Sequence, residues 1–322
     1  MKCLKLVCLA VLIAGPIGSS PAQDETSTDR AMSAAERLSQ KQKFKLAYRF
    51  LVDDQLRWNV EHTASTKAQI AGTLEETSSR SQSTKLWKVV DVDATGNMRF
   101  VHSIESVQMW QKIGEEDPVT FNSATDESAP VEFAGILEKI GKPLAMITIS
   151  PEGEIVDRKS GSQQAKFGVG DICIPLPKDE ISIGHQWYVP TSFQGTDEQG
   201  RPQQLKARIN YKLNKVKGKY AYVSFKTQVL TPIESEKVRS QILQQLTNGY
   251  AVFDLNQGKM IRKEVEWSEK VQGYEGPDSF LEYNGKMTEK FVTHDVSPEE
   301  EVVSTSENVE IKQRGDQPLI RK

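Results

Sequence analysis

Only three cysteines occur in 322 residues, and two of them, Cys3 and Cys8, fall in the first nine positions. Cys173 is then the one cysteine of the remaining chain, so no intramolecular disulfide framework is available there. Histidine is equally scarce. His62, His102, His185 and His294 are far apart, and no His-x-His, His-Glu-x-x-His or Cys-x-x-Cys spacing accompanies them. That removes the usual zinc patterns. There is no Gly-x-Ser-x-Gly elbow, and Gly168-Val169-Gly170 is too short to cradle a phosphate. No Asn-x-Ser/Thr sequon is present, which favours a bacterial exported protein over a eukaryotic secreted one. Long apolar runs are missing too. The longest, Leu6–Ile17, is shorter than the roughly 20 residues a membrane helix needs.

That short run has its own meaning. Lys2 and Lys5 precede it, and Ser20-Pro21-Ala22 follows with small residues at the −3 and −1 positions. Residues 1–22 therefore read as a secretory signal peptide, and the product as periplasmic or extracellular. No cysteine closes the run, so a lipid anchor is not expected. Without Lys2 and Lys5 the chain carries 39 basic against 44 acidic residues, an acidic balance that gives no reason to bind nucleic acid.

Residues 23–42 are a polar leader. Residues 297–322, with Pro298-Glu299-Glu300-Glu301 and no aromatic residue, read as a flexible tail. Between them, residues 43–296 are expected to form one β-rich domain. Leu205, Ala207, Ile209, Tyr211 and Leu213 alternate with polar neighbours, the period of a strand with one dry face. Turns at Gly96 and Gly218 each separate two such runs. Phe133, Ile136, Leu137 and Ile140 have helical spacing, as do Val238, Ile242, Leu243 and Leu246, which predicts two helices of about three turns. Gly141 and Asn248-Gly249 stand where helix C-caps belong.

The same order occurs twice. Ile136–Lys159 (ILEKIGKPLAMITISPEGEIVDRK) is echoed by Ile242–Lys263 (ILQQLTNGYAVFDLNQGKMIRK), and the Gly96 and Gly218 hairpins precede them in register. The expected architecture is mainly β (α+β). It is a large curved antiparallel sheet or half-open barrel of two related halves, about 43–160 and 181–294, with two short packing helices.

Chemistry is harder to find. Asp91, Asp93, Thr95 and Gly96 match half of a calcium loop, but His102 stands where a bidentate Glu is required. Asp-x-x-Gly-Asn is also ordinary turn grammar. Cys173, within Ile172-Cys173-Ile174, reads as a buried small hydrophobe. The lysines of Lys206–Lys219 lie on the opposite strand face from Tyr211, which does not interleave aromatics with cations as single-strand binding requires. No catalytic, cofactor-binding or metal-binding residue is nominated. Trp58, Trp87, Trp110 and Trp187 remain as candidates to line a ligand cleft on the concave side, or to plug the core.

Gly141-Lys142-Pro143, Ile149-Ser150-Pro151-Glu152-Gly153-Glu154-Ile155 and Gly184–Trp187 resemble an uncharacterised family of exported bacterial β-rich proteins, over roughly Phe44–Val292. The outline is also similar to lipoprotein-carrier half-barrels of the LolA type. Neither resemblance implies a catalytic residue. The first expectation is a non-enzymatic binding or carrier module for a lipid-like ligand or partner segment. The second is an envelope structural or interaction protein with a filled core. The third is an unrecognised hydrolase.

Overall fold

Alternation of apolar and polar residues is strongest where the strands cross the core, and it fades toward their far ends. The computed structural model describes residues 42–160 and 173–292. The leader, the tail and Gly168-Val169-Gly170 lie outside those residues. Fourteen strands are described: β1 (Lys43–Phe44), β2 (Gln55–Ile70), β3 (Thr73–Val92), β4 (Met98–Ile113), β5 (Val119–Asn122), β6 (Ala145–Ile149) and β7 (Ile155–Ser160) come first. After these come β8 (Ile181–Ser182), β9 (Gln186–Thr196), β10 (Pro202–Lys217), β11 (Tyr220–Val229), β12 (Asn248–Asp254), β13 (Lys259–Gln272) and β14 (Phe280–Phe291).

Twelve of them form one antiparallel sheet in the order β7-β6-β4-β3-β2-β14-β13-β12-β11-β10-β9, with β5 paired beside β4. The sheet is not closed. β1 and β8 make a separate two-stranded ribbon. Pairing proceeds β2-β3-β4-β6-β7 in one run and β9-β10-β11-β12-β13 in the other, and β14 joins β13 to β2 between them.

The helices are shorter than the spacing predicts. A 3-10 turn at Val131–Phe133 leads into α1 (Ala134–Leu137), and α2 (Glu236–Ile242) ends in a 3-10 turn at Leu243–Gln245. The hydroxyl of Ser235 caps α2 by accepting from the Val238 amide at 3.1 Å. Gly141 has a φ of 74°, as a helix terminator should. Gly249 has another role. It lies inside β12, opposite Val265 of β13. A Cβ there would strike the Glu264 carbonyl and come within 2.8 Å of the Phe225 ring, so the residue permits a close strand crossing.

The core lies on one face of the sheet and is filled from the side. Leu46, Tyr48 and Phe50 alternate inward from the segment ahead of β2 and pack on Trp87, Phe100 and Phe253. Their backbone straps two turns together: the Tyr48 amide donates to Pro151 at 2.7 Å, and the Arg49 amide to Gly258 at 3.0 Å. Cys173, Ile174 and Leu176 cover the same interior. The 3-10 turn and α1 cover β4 and β5 through Phe133, Ile136 and Leu137, packed with Val107 and Phe121, while α2 covers β9 and β10 through Val238 and Ile242. The strands continue beyond this core. β3 has 20 residues, roughly 65 Å at ~3.3 Å per residue, and its first twelve are all at least partly exposed.

Candidate functional site

The four candidate tryptophans divide between two faces. Trp58 and Trp87 are 2% and 1% exposed, their rings 4.5 Å apart, with Trp87 stacked on Phe100 at 4.4 Å. Trp58 also donates its indole N–H to the Met260 carbonyl at 3.0 Å. Trp187 is half-buried, stacks on Tyr211 at 5.5 Å and donates to Pro175 at 2.9 Å. Trp110 is on the other side of the sheet, beside a cavity with a volume of about 920 Å³.

Strand register builds this cavity. Arg80 of β3 pairs with Trp110 of β4 and Thr63 of β2; Thr63 pairs with Lys286 of β14, and Lys286 with Glu266 of β13. Successive cross-strand partners share a face, so these five side chains form one row across five strands. The next row is Gln108, Gln82, Glu61, Thr288 and Glu264. A smaller cavity of about 440 Å³ continues along the strands and shares Gln82, Gln108 and Lys286 with the larger one. Together they make one groove, its rows running from Asn59 to Ser65 on β2, roughly 20 Å at ~3.3 Å per residue.

Trp267 also borders the groove, but its ring belongs to the opposite face. There it donates to Gln244 at 2.9 Å and meets His62 and Tyr283 edge-on. Trp110 is thus the aromatic side chain lining the cavity that register places on the groove face; Tyr250, across from Glu264, lies on the same face beyond the five strands.

Most charges here are paired with one another; Lys290, in the smaller cavity, has no ion-pair partner among the described residues. Arg80 contacts Glu61 at 2.7 Å, and Lys286 lies 3.2 Å from both Glu264 and Glu266. Glu264 also accepts from Tyr250 at 2.6 Å and from Arg262. Burial pushes its carboxyl up, yet the bonds from Tyr250 and Arg262 outweigh burial and hold it below the usual range. Burial, then the bond to Glu264, pushes the Tyr250 hydroxyl up to about 12. In contrast, Gln82, Gln108, Thr63, Ser65 and Ser78 have no side-chain hydrogen-bond partner among the described residues.

A second polar cluster is sealed in the apolar core. Lys85 meets Glu289 at 2.5 Å, both nearly inaccessible, and its ammonium lies 5.1 Å from the ring centres of Trp58 and Trp87. Lys263 sits directly across from Glu289 on β13. Burial raises the Glu289 carboxyl, but the charges of Lys85 and Lys263 overcome it and leave the group below its ordinary range. His102 is 1% exposed with neither ring nitrogen hydrogen-bonded among the described residues. Burial, then Lys85 and Arg158, lowers it to about 4. Burial pushes the Cys173 thiol up to about 12, so it stays protonated at neutral pH.

The half-calcium motif is engaged in its own turn. Asp93 accepts from the amides of Thr95 and Asn97 at 2.8 and 3.0 Å and from both their side chains. Bonds from Thr95, then Asn97, lower its carboxyl to about 2. Among the described residues no group of three or more His, Cys, Asp or Glu could hold a metal, and no helix is long and apolar enough to cross a membrane.

No protein-family profile matches the chain, and no curated protein matches it. Solved structures do. A chain described under lipid–protein interactions in lipovitellin is 8% identical with a TM-score of 0.42, over 76% of this chain and 26% of that one. A DUF1329 family protein from Desulfovibrio piger is 12% identical with a TM-score of 0.15, over 70% of this chain and 83% of that one. The chain spans about a quarter of the length of the lipovitellin chain it matches.

Proposed function

We propose that this chain is an exported, non-catalytic binding protein whose ligand site is the groove across β13, β14, β2, β3 and β4. The observation that carries the reading is the cavity of about 920 Å³, which lies in the range of small-molecule sites and is bordered by Trp110, Arg80, Gln82, Gln108 and Lys286. Export is supported by the charged, apolar and small-residue regions of residues 1–22. The shared pairing order of β2–β7 and β9–β13, with the two echoed hairpins, supports two related halves that build one sheet.

The apolar side favours a structural role over a ligand role. Trp58, Trp87, Tyr48 and Phe50 occupy it together, and the ion pair of Lys85 and Glu289 is closed beneath them. A lipid-like ligand would enter there only by displacing the strap of Leu46 to Phe50. Absence of catalysis is supported by the chemistry of the groove: its carboxylates are all held in ion pairs, and its neutral amides and hydroxyls are poor acids and bases near pH 7.

Native mass spectrometry of the chain purified from its own host, followed by fluorescence titration with oleate, oligosaccharides and short peptides, tests the reading. At least one compound binds, and Trp110→Ala with Gln82→Ala weakens it. No binding by any of them, or equal binding by that double variant, contradicts the groove as a ligand site.

A further inference from the structure

The groove's own bonding says what kind of molecule fits it. In the larger cavity the formal charges are already matched: Arg80 with Glu61, and Lys286 with Glu264 and Glu266. A charged ligand would have to break these pairs, and beyond them the groove offers one unpaired charge among the described residues, Lys290 of the smaller cavity. The neutral groups differ. Gln82 and Gln108 face each other across β3 and β4, and neither side-chain amide has a partner among the described residues. Each amide both donates and accepts, and so do the hydroxyls of Thr63, Ser65 and Ser78 beside them.

Trp110 stands two residues along β4 from Gln108, on the same face, and is half-buried. An indole face next to an amide pair matches a molecule with an apolar C–H face and a rim of hydroxyls that donate and accept.

We infer that the groove binds an uncharged, polyhydroxylated chain, an oligosaccharide, with Trp110 as the stacking platform and Gln82 and Gln108 as the hydroxyl readers; this rests on the groove being the ligand site. The length, roughly 20 Å along the strands at ~3.3 Å per residue, calls for several linked rings rather than one sugar. A fatty chain would leave the unpartnered amides and hydroxyls dry, which is costly for each group. A nucleic acid would need several unpaired cations to displace its counterions, and the groove offers one, Lys290.

The test is titration of the full chain with cellohexaose, chitohexaose, maltohexaose and xylohexaose, followed by tryptophan fluorescence and calorimetry. At least one hexasaccharide binds, with Kd between about 10 μM and 1 mM. Its affinity changes less than about twofold between ~0.05 and ~0.5 M NaCl, since no ion pair is formed. Trp110→Ala lowers affinity about tenfold, Trp110→Phe restores most of it, and Gln82→Ala with Gln108→Ala also weakens it. Circular dichroism confirms that each variant is folded, and Trp187→Ala on the other face leaves affinity unchanged.

Failure of all four sugars to bind at millimolar concentration overturns the inference, as does binding that Trp110→Ala leaves intact. Oleate or a short peptide binding in a Trp110-dependent way would overturn the sugar assignment and leave the groove as the ligand site. Binding of every probe unaffected by Trp110→Ala and Gln82→Ala would remove both.

Discussion

Lys85 and Glu289 form an ion pair inside the apolar core, 2.5 Å apart, with the ammonium beside the rings of Trp58 and Trp87. Lys263 faces Glu289 from the neighbouring strand, so one carboxylate serves two buried cations. The two partners are therefore not equivalent. Glu289→Gln removes the counter-charge that both lysines share and costs about 3–5 kcal/mol of stability. Lys85→Met leaves Glu289 with Lys263, and its cost is smaller by at least about 1 kcal/mol. Urea unfolding of both variants measures the order. Equal losses would show that Lys263 does not compensate.

His102 gives the fold a dependence on acid. Its folded value of about 4 lies below the ordinary 6.5, because burial, then Lys85 and Arg158, oppose its charge. The unfolded chain thus binds a proton that the folded chain refuses between those values. Stability is complete above pH ~6.5 and declines as pH falls toward 4, by about 3 kcal/mol. His102→Leu reduces the slope in this window and, by removing two buried unpartnered nitrogens, raises stability at pH 7 by about 1 kcal/mol. Glu289, depressed below 4.5, contributes its own acid loss below that value, and His62, also lowered by burial, contributes in the same window, so it is the difference between the parent chain and His102→Leu from pH 4.5 to 6.5 that isolates His102. Urea midpoints measured across that window decide it; an unchanged slope in the variant would contradict the assignment.

Two glycines separate crowding from freedom. Gly249→Ala drives a methyl into the Glu264 backbone and toward Phe225, neither of which can yield, and costs about 3 kcal/mol. Gly135, in α1, has nothing within 4 Å of its would-be Cβ and has no positive φ. Gly135→Ala stabilises by about 0.5–1 kcal/mol by limiting the unfolded chain. Thermal melts of the two variants move in opposite directions.

The tryptophans divide by energy as they do by place. Trp58→Ala removes a ring packed on Trp87 and Phe291 and a bond to Met260, for about 3–5 kcal/mol. Trp110→Ala removes a half-buried ring from the groove wall and costs less than about 1 kcal/mol. Comparable losses in denaturant unfolding would place Trp110 in a core.

How much of this was legible in the sequence depends on where a strand lies. Leu205 to Leu213 mark β10 because one of its faces is fully dry; the mainly β fold follows from such runs, and the two short helices from the helical spacing of Phe133 to Ile140 and Val238 to Leu246. Thr73 to Thr84 carried no such signal. That end of β3 passes beyond the core, neither face is fully buried, and its Ser, Thr, Glu, Gln and Arg side chains show no apolar alternation. β14 was missed for a related reason, since polar residues interrupt its few buried positions. The groove is built from these extensions, so nothing in the sequence marks Arg80, Gln82 and Lys286, and Trp110 is the one groove residue among the sequence candidates. A long stretch of β-compatible hydroxyl residues without Pro between two aromatic strands was the available clue. Asn248-Gly249 misled because glycine ends helices more often than it lets strands cross; its true neighbour, Glu264, is fifteen residues away in sequence.

The five indole N–H resonances of the labelled chain report on both faces at once, because Trp58, Trp87, Trp110, Trp187 and Trp267 are all the tryptophans it has. Titration with the hexasaccharide that binds should shift Trp110 strongly, and leave Trp58, Trp87 and Trp187 where they were. Movement of Trp58 and Trp87 with Trp110 unperturbed would put the ligand on the apolar face and contradict the groove.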